Sequence, residues 1–91
     1  RVRTVTADSL AHPAIRARAP YDLVIANILA RPLIGLAPSL ARSVRPYGMV
    51  ILSGITRDQA GRVLASYGSA GFTRRGLITL EDWVTLTLER R

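Results

Sequence analysis

The sequence predicts an α/β fold, with parallel strands, crossover helices and a C-terminal antiparallel hairpin, which together make one half of a doubly wound domain. Three observations carry this expectation. Two unbroken apolar runs, Leu23-Val24-Ile25-Ala26 and Met49-Val50-Ile51-Leu52, have the composition of strands covered on both faces, as in parallel sheets. Between them Leu29, Leu33, Leu36, Leu40 and Val44 recur at three and four residues, the stripe of an amphipathic helix. Near the end, Val84, Leu86 and Leu88 alternate with Thr85, Thr87 and Glu89, the period of a strand with two different faces.

Each element follows in order. Val2 to Thr6 is a short run rich in β-branched residues and predicts a strand that leads into Ala7-Asp8-Ser9-Leu10. Residues 11–20 read as a loop with one helical turn at most, closed by Pro20. The strand centred on Leu23 to Ala26 ends at Asn27, and a helix is expected near 30–44. Pro32 suits the first turn of that helix, whereas Pro38 predicts a kink or a split. Arg45-Pro46-Tyr47-Gly48 reads as a turn before the strand Met49 to Ser53, which Gly54 closes. Thr56 and Gln59 have capping-box spacing for a helix over 57–69. Its buried face is Ala60, Val63, Leu64 and Tyr67, and it stops around Gly68 to Gly71. Phe72 to Leu80 and Trp83 to Leu88 then form a hairpin about Glu81-Asp82, with Tyr67, Phe72 and Trp83 expected in the core. A single helix joins the strands at 23–26 and 49–53, so these two should be adjacent and parallel.

Composition narrows the function. Ninety-one residues make one domain or a piece of one, and the start at Arg1 without a methionine suggests an excised segment. With no cysteine there is no disulfide, thiolate metal site or cysteine nucleophile, and the single histidine, His12, forms no metal cluster. His12 reads as a surface residue. The net charge of +7 rests on thirteen basic residues, all arginine. They are scattered through every segment, and none of the five aromatic residues is interleaved with them as a base-stacking platform needs. Solvated faces are expected, with no nucleic-acid partner. Leu23 to Ala41 approaches the length of a membrane span but contains Asn27, Arg31, Pro32 and Pro38, so neither a membrane segment nor a signal peptide is expected.

In doubly wound sheets, ligands bind beyond the carboxyl ends of the strands. That rule singles out Asn27-Ile28-Leu29, Ser53-Gly54-Ile55 and Asp8-Ser9-Leu10. The seven glycines contain no G-x-G-x-x-G, so a phosphate-cradling turn is not among these residues.

The run Y-D-L-V-I-A-N-I-L-A-R-P-L, then a helix, then P-Y-G-M-V-I-L-S-G-I, resembles the ribosomal protein L11 methyltransferase family. The trailing A-G-F and the hairpin with E-D-W-V resemble that family's C-terminus. The resemblance implies a partial Rossmann-like class I methyltransferase fold: residues 1–91 as a single-domain fragment, the C-terminal half of a catalytic domain lacking its glycine-rich half. It implies a cytoplasmic enzyme that transfers methyl groups from S-adenosyl-L-methionine to amino groups of a ribosomal protein, with the 91 residues alone inactive. It also implies that the family's first strands lie between Val2–Thr6 and Leu23–Ala26, leaving Val2–Thr6 frayed or repurposed. Two departures stand out: Tyr47 occupies a position where the family usually has a glycine, and Asp82 one where a glutamate is usual.

By resemblance Asn27 contacts the methyl donor, and it is the leading candidate for both catalysis and donor binding. Its amide oxygen can hold an amine by its hydrogens and face a positive sulfur. Its residue type and position fit equally a cap on the following helix. Asp8 and Ser9 resemble the loop bordering the adenine and are the other donor-binding candidates; the pair is equally a simple turn. Ser53 is a weaker candidate, and Glu81-Asp82 reads as a solvated turn. No metal ligands are expected. The alternative function is a small basic α/β module that binds or dimerises without catalysis, an open sheet edge pairing with another copy.

Overall fold

The computed structural model describes residues 2–6, 21–27 and 30–91. The elements are β1 (Val2–Thr6), β2 (Tyr21–Asn27), α1 (Ala30–Ser43), β3 (Val44–Thr56), α2 (Arg57–Ser69), β4 (Phe72–Leu80) and β5 (Trp83–Arg90). They build a five-stranded sheet of order β1-β2-β3-β5-β4. β1, β2 and β3 are mutually parallel, and β5 runs antiparallel to both β3 and β4. The predicted adjacency of the two central strands holds. β1 is not frayed: without the strands that the resemblance puts between them it pairs directly with β2, from Val2↔Leu23 to Thr6↔Asn27, which is the repurposed alternative.

Chain direction explains where the core lies. From β2 through β3 to the β5–β4 pair the path moves one way across the sheet, so right-handed connections put both helices on one face. Leu36, Ala37 and Leu40 of α1 and Ala60, Val63 and Tyr67 of α2 pack there. They meet Val24, Ala26, Val50, Leu52, Val84, Leu86 and Leu88, the alternate residues of three neighbouring strands. The Tyr67 and Phe72 rings pack tilted at 54° with centroids 5.5 Å apart, as expected of core aromatics, and burial pushes the Tyr67 phenol far above its usual range. Leu23, Ile25, Met49 and Ile51 occupy the opposite face and are only half-buried.

Three local expectations change. Pro38 lies inside one continuous helix. It is on the exposed side, where water can take the carbonyl that loses its partner. Residues 45–48 are not a free turn but an outward bulge within β3, between the pairs Tyr21↔Val44 and Leu23↔Met49. β3 also continues past Gly54 to Thr56, with a register shift between Leu52 and Ile55. The capping box is present: the Thr56 N–H donates to Gln59 Oε1 at 3.1 Å.

The bulge is tightly built. A Cβ on Gly48 would lie 2.9 Å from the Arg45 carbonyl oxygen and 2.7 Å from Val44 Cγ1, so this position requires glycine. Next to it Tyr47 has φ 68°, a left-handed conformation that costs an L-residue about 1–2 kcal/mol. Its side chain is 77% exposed and gives little packing in return. Tyr47→Gly is therefore expected to stabilise the chain by about 1 kcal/mol in chemical denaturation; an unchanged or lower midpoint would show that the ring packs usefully on its surroundings.

Arginines close the amino-terminal edge of the sheet by donating to carbonyls. Arg91 reaches the Phe72 oxygen at 3.0 Å and the Gly68 oxygen at 2.8 Å, covering the carboxyl end of α2. Arg90 donates to the Val44 oxygen, and Arg45 pairs with Asp22 at 3.0 Å. Part of the high arginine content is thus structural. Tyr21 at this edge is buried, and among the described residues its hydroxyl has no hydrogen-bond partner. A buried polar group left unpaired costs about 1–3 kcal/mol, so Tyr21→Phe should raise the melting temperature by several degrees, about 1 kcal/mol. A lower melting temperature would mean that the hydroxyl is bonded.

Candidate functional site at the carboxyl ends of the parallel strands

The register brings three polar residues into one row. Thr6 of β1 pairs with Asn27 of β2, and Asn27 pairs with Ser53 of β3. All three stand at or near the carboxyl ends of parallel strands, where a doubly wound sheet opens to ligand. Asn27 is exposed, because its neighbour Ala26 takes the buried face and strand alternation turns position 27 away from the helices. Ser53 shares that outer face, since Leu52 points into the core. Its hydroxyl donates to the Ala26 carbonyl oxygen at 3.5 Å, a long bond that ties the two strand ends together. Asn27 and Ser53 are thus brought together as neighbours. Asp8, Ser9 and His12 lie outside the described residues, as do Ile28 and Leu29.

Beyond Ser53 the rim continues through α2 and the hairpin. Gly54 has φ 84° where the β3 register shifts, a conformation suited to glycine. The Thr56 hydroxyl donates to Asp58 Oδ1 at 2.6 Å and, as the main cause, holds that carboxyl below its ordinary range. The hairpin turn is fixed to the start of α2: Arg57 donates from its backbone N–H to the Asp82 oxygen at 3.2 Å and from Nε to the Glu81 oxygen at 2.6 Å. Glu81 and Asp82 are exposed turn residues, as the sequence suggested.

Trp83 is the correction at this rim. It was expected in the core, but it is 54% exposed and pairs with Thr56 at the strand's end. Val84 faces the helices, so Trp83 faces the other way, on the side that carries Asn27 and Ser53. The signal was present in the sequence: Trp83 has the same parity as Thr85 and Thr87, not that of Val84, Leu86 and Leu88. Thr6 was also missed, because only the pairing register shows that it shares a row with Asn27.

Among the described residues there is no group of three His, Cys, Asp or Glu side chains placed to hold a metal ion. None of their helices is long and apolar enough to cross a membrane. The rim carries the Asn27 amide and the Ser53 hydroxyl, with no arginine in the Thr6–Asn27–Ser53 row, and the exposed Trp83 lies on the same face of the sheet, two strands from Asn27. Such a surface suits a ligand that carries positive charge next to apolar groups.

Comparison with known proteins agrees with that architecture. A ribosomal protein L11 methylase of Lactobacillus delbrueckii subsp. bulgaricus superposes with TM-score 0.77 at 30% identity, over 81% of this chain and 38% of that one. A precorrin-6y C5,15-methyltransferase of Geobacter metallireducens shares the fold at TM-score 0.67 and 12% identity, over 90% of this chain and 51% of that one. In sequence, a ribosomal protein L11 methyltransferase of Chelativorans sp. is 48% identical over 89 residues, which are 98% of this chain and 31% of the relative. The chain thus spans about a third of the length of that relative. The family described as Ribosomal protein L11 methyltransferase (PrmA) matches residues 3–91, and with this match, the Rossmann-like sheet and the identity to the Chelativorans protein, the chain belongs to the ribosomal protein L11 methyltransferase family.

Proposed function

We propose that the chain is the C-terminal half of a methyltransferase catalytic domain whose parent methylates amino groups of ribosomal protein L11. The observation that carries the reading is the exposed Asn27 side chain at the carboxyl end of β2, next to Ser53 and continuous with a rim that bears Trp83. S-adenosyl-L-methionine, when bound, supplies an electrophilic methyl group on a sulfonium sulfur. Asn27 and the neighbouring strand-end carbonyls accept hydrogen bonds from the uncharged acceptor amine, so that its lone pair faces the methyl carbon. Aligning two reactants in this way can supply roughly 7–11 kcal/mol of the barrier. Trp83 covers one side of the site, excludes water and offers a π face to a cationic group. Asp8 and Ser9, which follow β1, are proposed to border the adenine of the donor. A cytoplasmic location accompanies this substrate. The glycine-rich turn and ribose carboxylate expected of a complete donor site are not among these residues, so the isolated chain is proposed to be inactive.

The reading is tested by splicing this chain into the Chelativorans relative in place of the 89 matching residues and assaying transfer of labelled methyl groups to ribosomal protein L11. Methyl transfer well above that of the unspliced remainder is expected. A folded spliced enzyme that binds L11 yet transfers nothing would refute the proposal.

A further inference from the structure

The turn that leads into Trp83 is not shaped by its own sequence. Glu81 and Asp82 form a two-residue turn between the paired Leu80 and Trp83. Turns of this length favour glycine or asparagine where the backbone is left-handed. Here the first turn position is Glu81, with φ 54°, a conformation that residues with long side chains seldom adopt, and the turn contains no glycine. Relaxation of Glu81 to a negative φ re-aims the peptide that enters β5 at Trp83.

Arg57 supplies the missing restraint. It is the first residue of α2, where backbone N–H groups lack a partner within the helix, and its N–H donates to the Asp82 oxygen at 3.2 Å. Its side chain donates from Nε to the Glu81 oxygen at 2.6 Å. Both carbonyls of the turn are thereby tied to one residue. The residue before it, Thr56, pairs with Trp83 across β3 and β5, so the clamp and the indole are adjacent. Trp83 is 54% exposed, and the backbone of the turn rather than burial decides where its indole stands.

Resting on the donor site proposed above, we infer that Arg57 is a positioning residue for methyl transfer. Its Nε–H bond to the Glu81 carbonyl holds the left-handed turn, and the turn holds the Trp83 indole at the rim, against the cationic donor. The acting group is the N–H donor, not the positive charge.

Two neutral replacements separate the donor from the charge. In glutamine the amide nitrogen follows Cδ, as Nε does in arginine, so Arg57→Gln keeps an N–H at the same place, whereas Arg57→Met has similar length and no donor. Arg57 is exposed, so neither change opens the core. Trp83 is the only tryptophan of the chain, and its fluorescence therefore reports on this turn. In the 91-residue chain, Arg57→Met is expected to shift the indole emission to longer wavelength and to raise its quenching by acrylamide, while Arg57→Gln matches the unaltered chain. In the spliced enzyme, Arg57→Met should raise KM for S-adenosyl-L-methionine about tenfold, the scale of a lost cation–π contact, with kcat changed less than about twofold. Adding Glu81→Gly to Arg57→Met should return both signals, because glycine adopts a positive φ without strain. The inference is overturned by an Arg57→Met chain whose indole signal is unchanged, by an Arg57→Gln chain that fails as Arg57→Met does, or by a KM that stays constant while the indole signal moves. An unaltered spliced enzyme that transfers no methyl groups refutes the proposed function and with it the link to the donor, whereas an unchanged indole signal refutes the hold of Arg57 on Trp83 alone.

Discussion

Asn27→Ala in the spliced enzyme is expected to lower turnover by two to three orders of magnitude while leaving the fold intact. Asn27 is exposed at the end of β2, so removing its amide opens no cavity in the apolar layer formed by Val24 and Ala26. The loss falls on the reaction, because a preorganised polar group at a developing charge is worth about 2.7–4 kcal/mol. A capping role predicts a different pattern. α1 begins at Ala30, and a lost cap costs about 1 kcal/mol of stability with turnover nearly unchanged. Measuring melting temperature and turnover on the same variant separates the two. Normal turnover with a lowered melting temperature would refute the assignment of Asn27 to the reaction.

Leu52→Ala should have the largest effect on stability. Leu52 is fully buried in β3 between β2 and β5, opposite Ala26 and Leu86 in the register. Ala26 cannot fill the space a truncated neighbour leaves, and two flanking strands limit relaxation. Truncating a buried leucine costs about 2–5 kcal/mol. A chain of this size has a total stability of only about 5–14 kcal/mol, so much of it would be lost and the melting temperature should fall by at least about 8 °C. Leu77→Ala on the exposed half of β4 is the internal control and should change stability by less than about 0.5 kcal/mol. Equal losses at both positions would contradict the burial of Leu52 between β2 and β5.

The sequence made the architecture readable where periodicity and burial agree. The apolar runs at 23–26 and 49–52 marked two strands, although the expected cover on both faces is found on one only, Leu23, Ile25, Met49 and Ile51 being half-buried, and the three-four spacing from Leu33 to Leu40 marked α1. What escaped depends on long-range register. The Arg45–Gly48 segment has the composition of a turn, and only pairing on both sides of it, Tyr21↔Val44 and Leu23↔Met49, makes it a bulge. Trp83 was assigned to the core because large apolar residues are usually buried, although parity placed it with the threonines. For the site, the rule of strand carboxyl ends singled out Asn27 and Ser53, which the register makes neighbours, but it could not show that Thr6 pairs with Asn27 in the same row. That row exists because β1 pairs directly with β2, a contact with no local signal in either strand.

The central claim is that the methyl donor is held at the carboxyl ends of β2 and β3, with Asn27 beside its reacting sulfur. The most direct test is a crystal structure of the spliced enzyme with S-adenosylhomocysteine, the demethylated product. The account predicts the sulfur over the Asn27–Ser53 row, on the rim that carries Trp83, with the Asn27 side chain in contact with the ligand. A ligand bound at the amino-terminal edge near Tyr21 and Arg45, or on the outer faces of the helices, would contradict it.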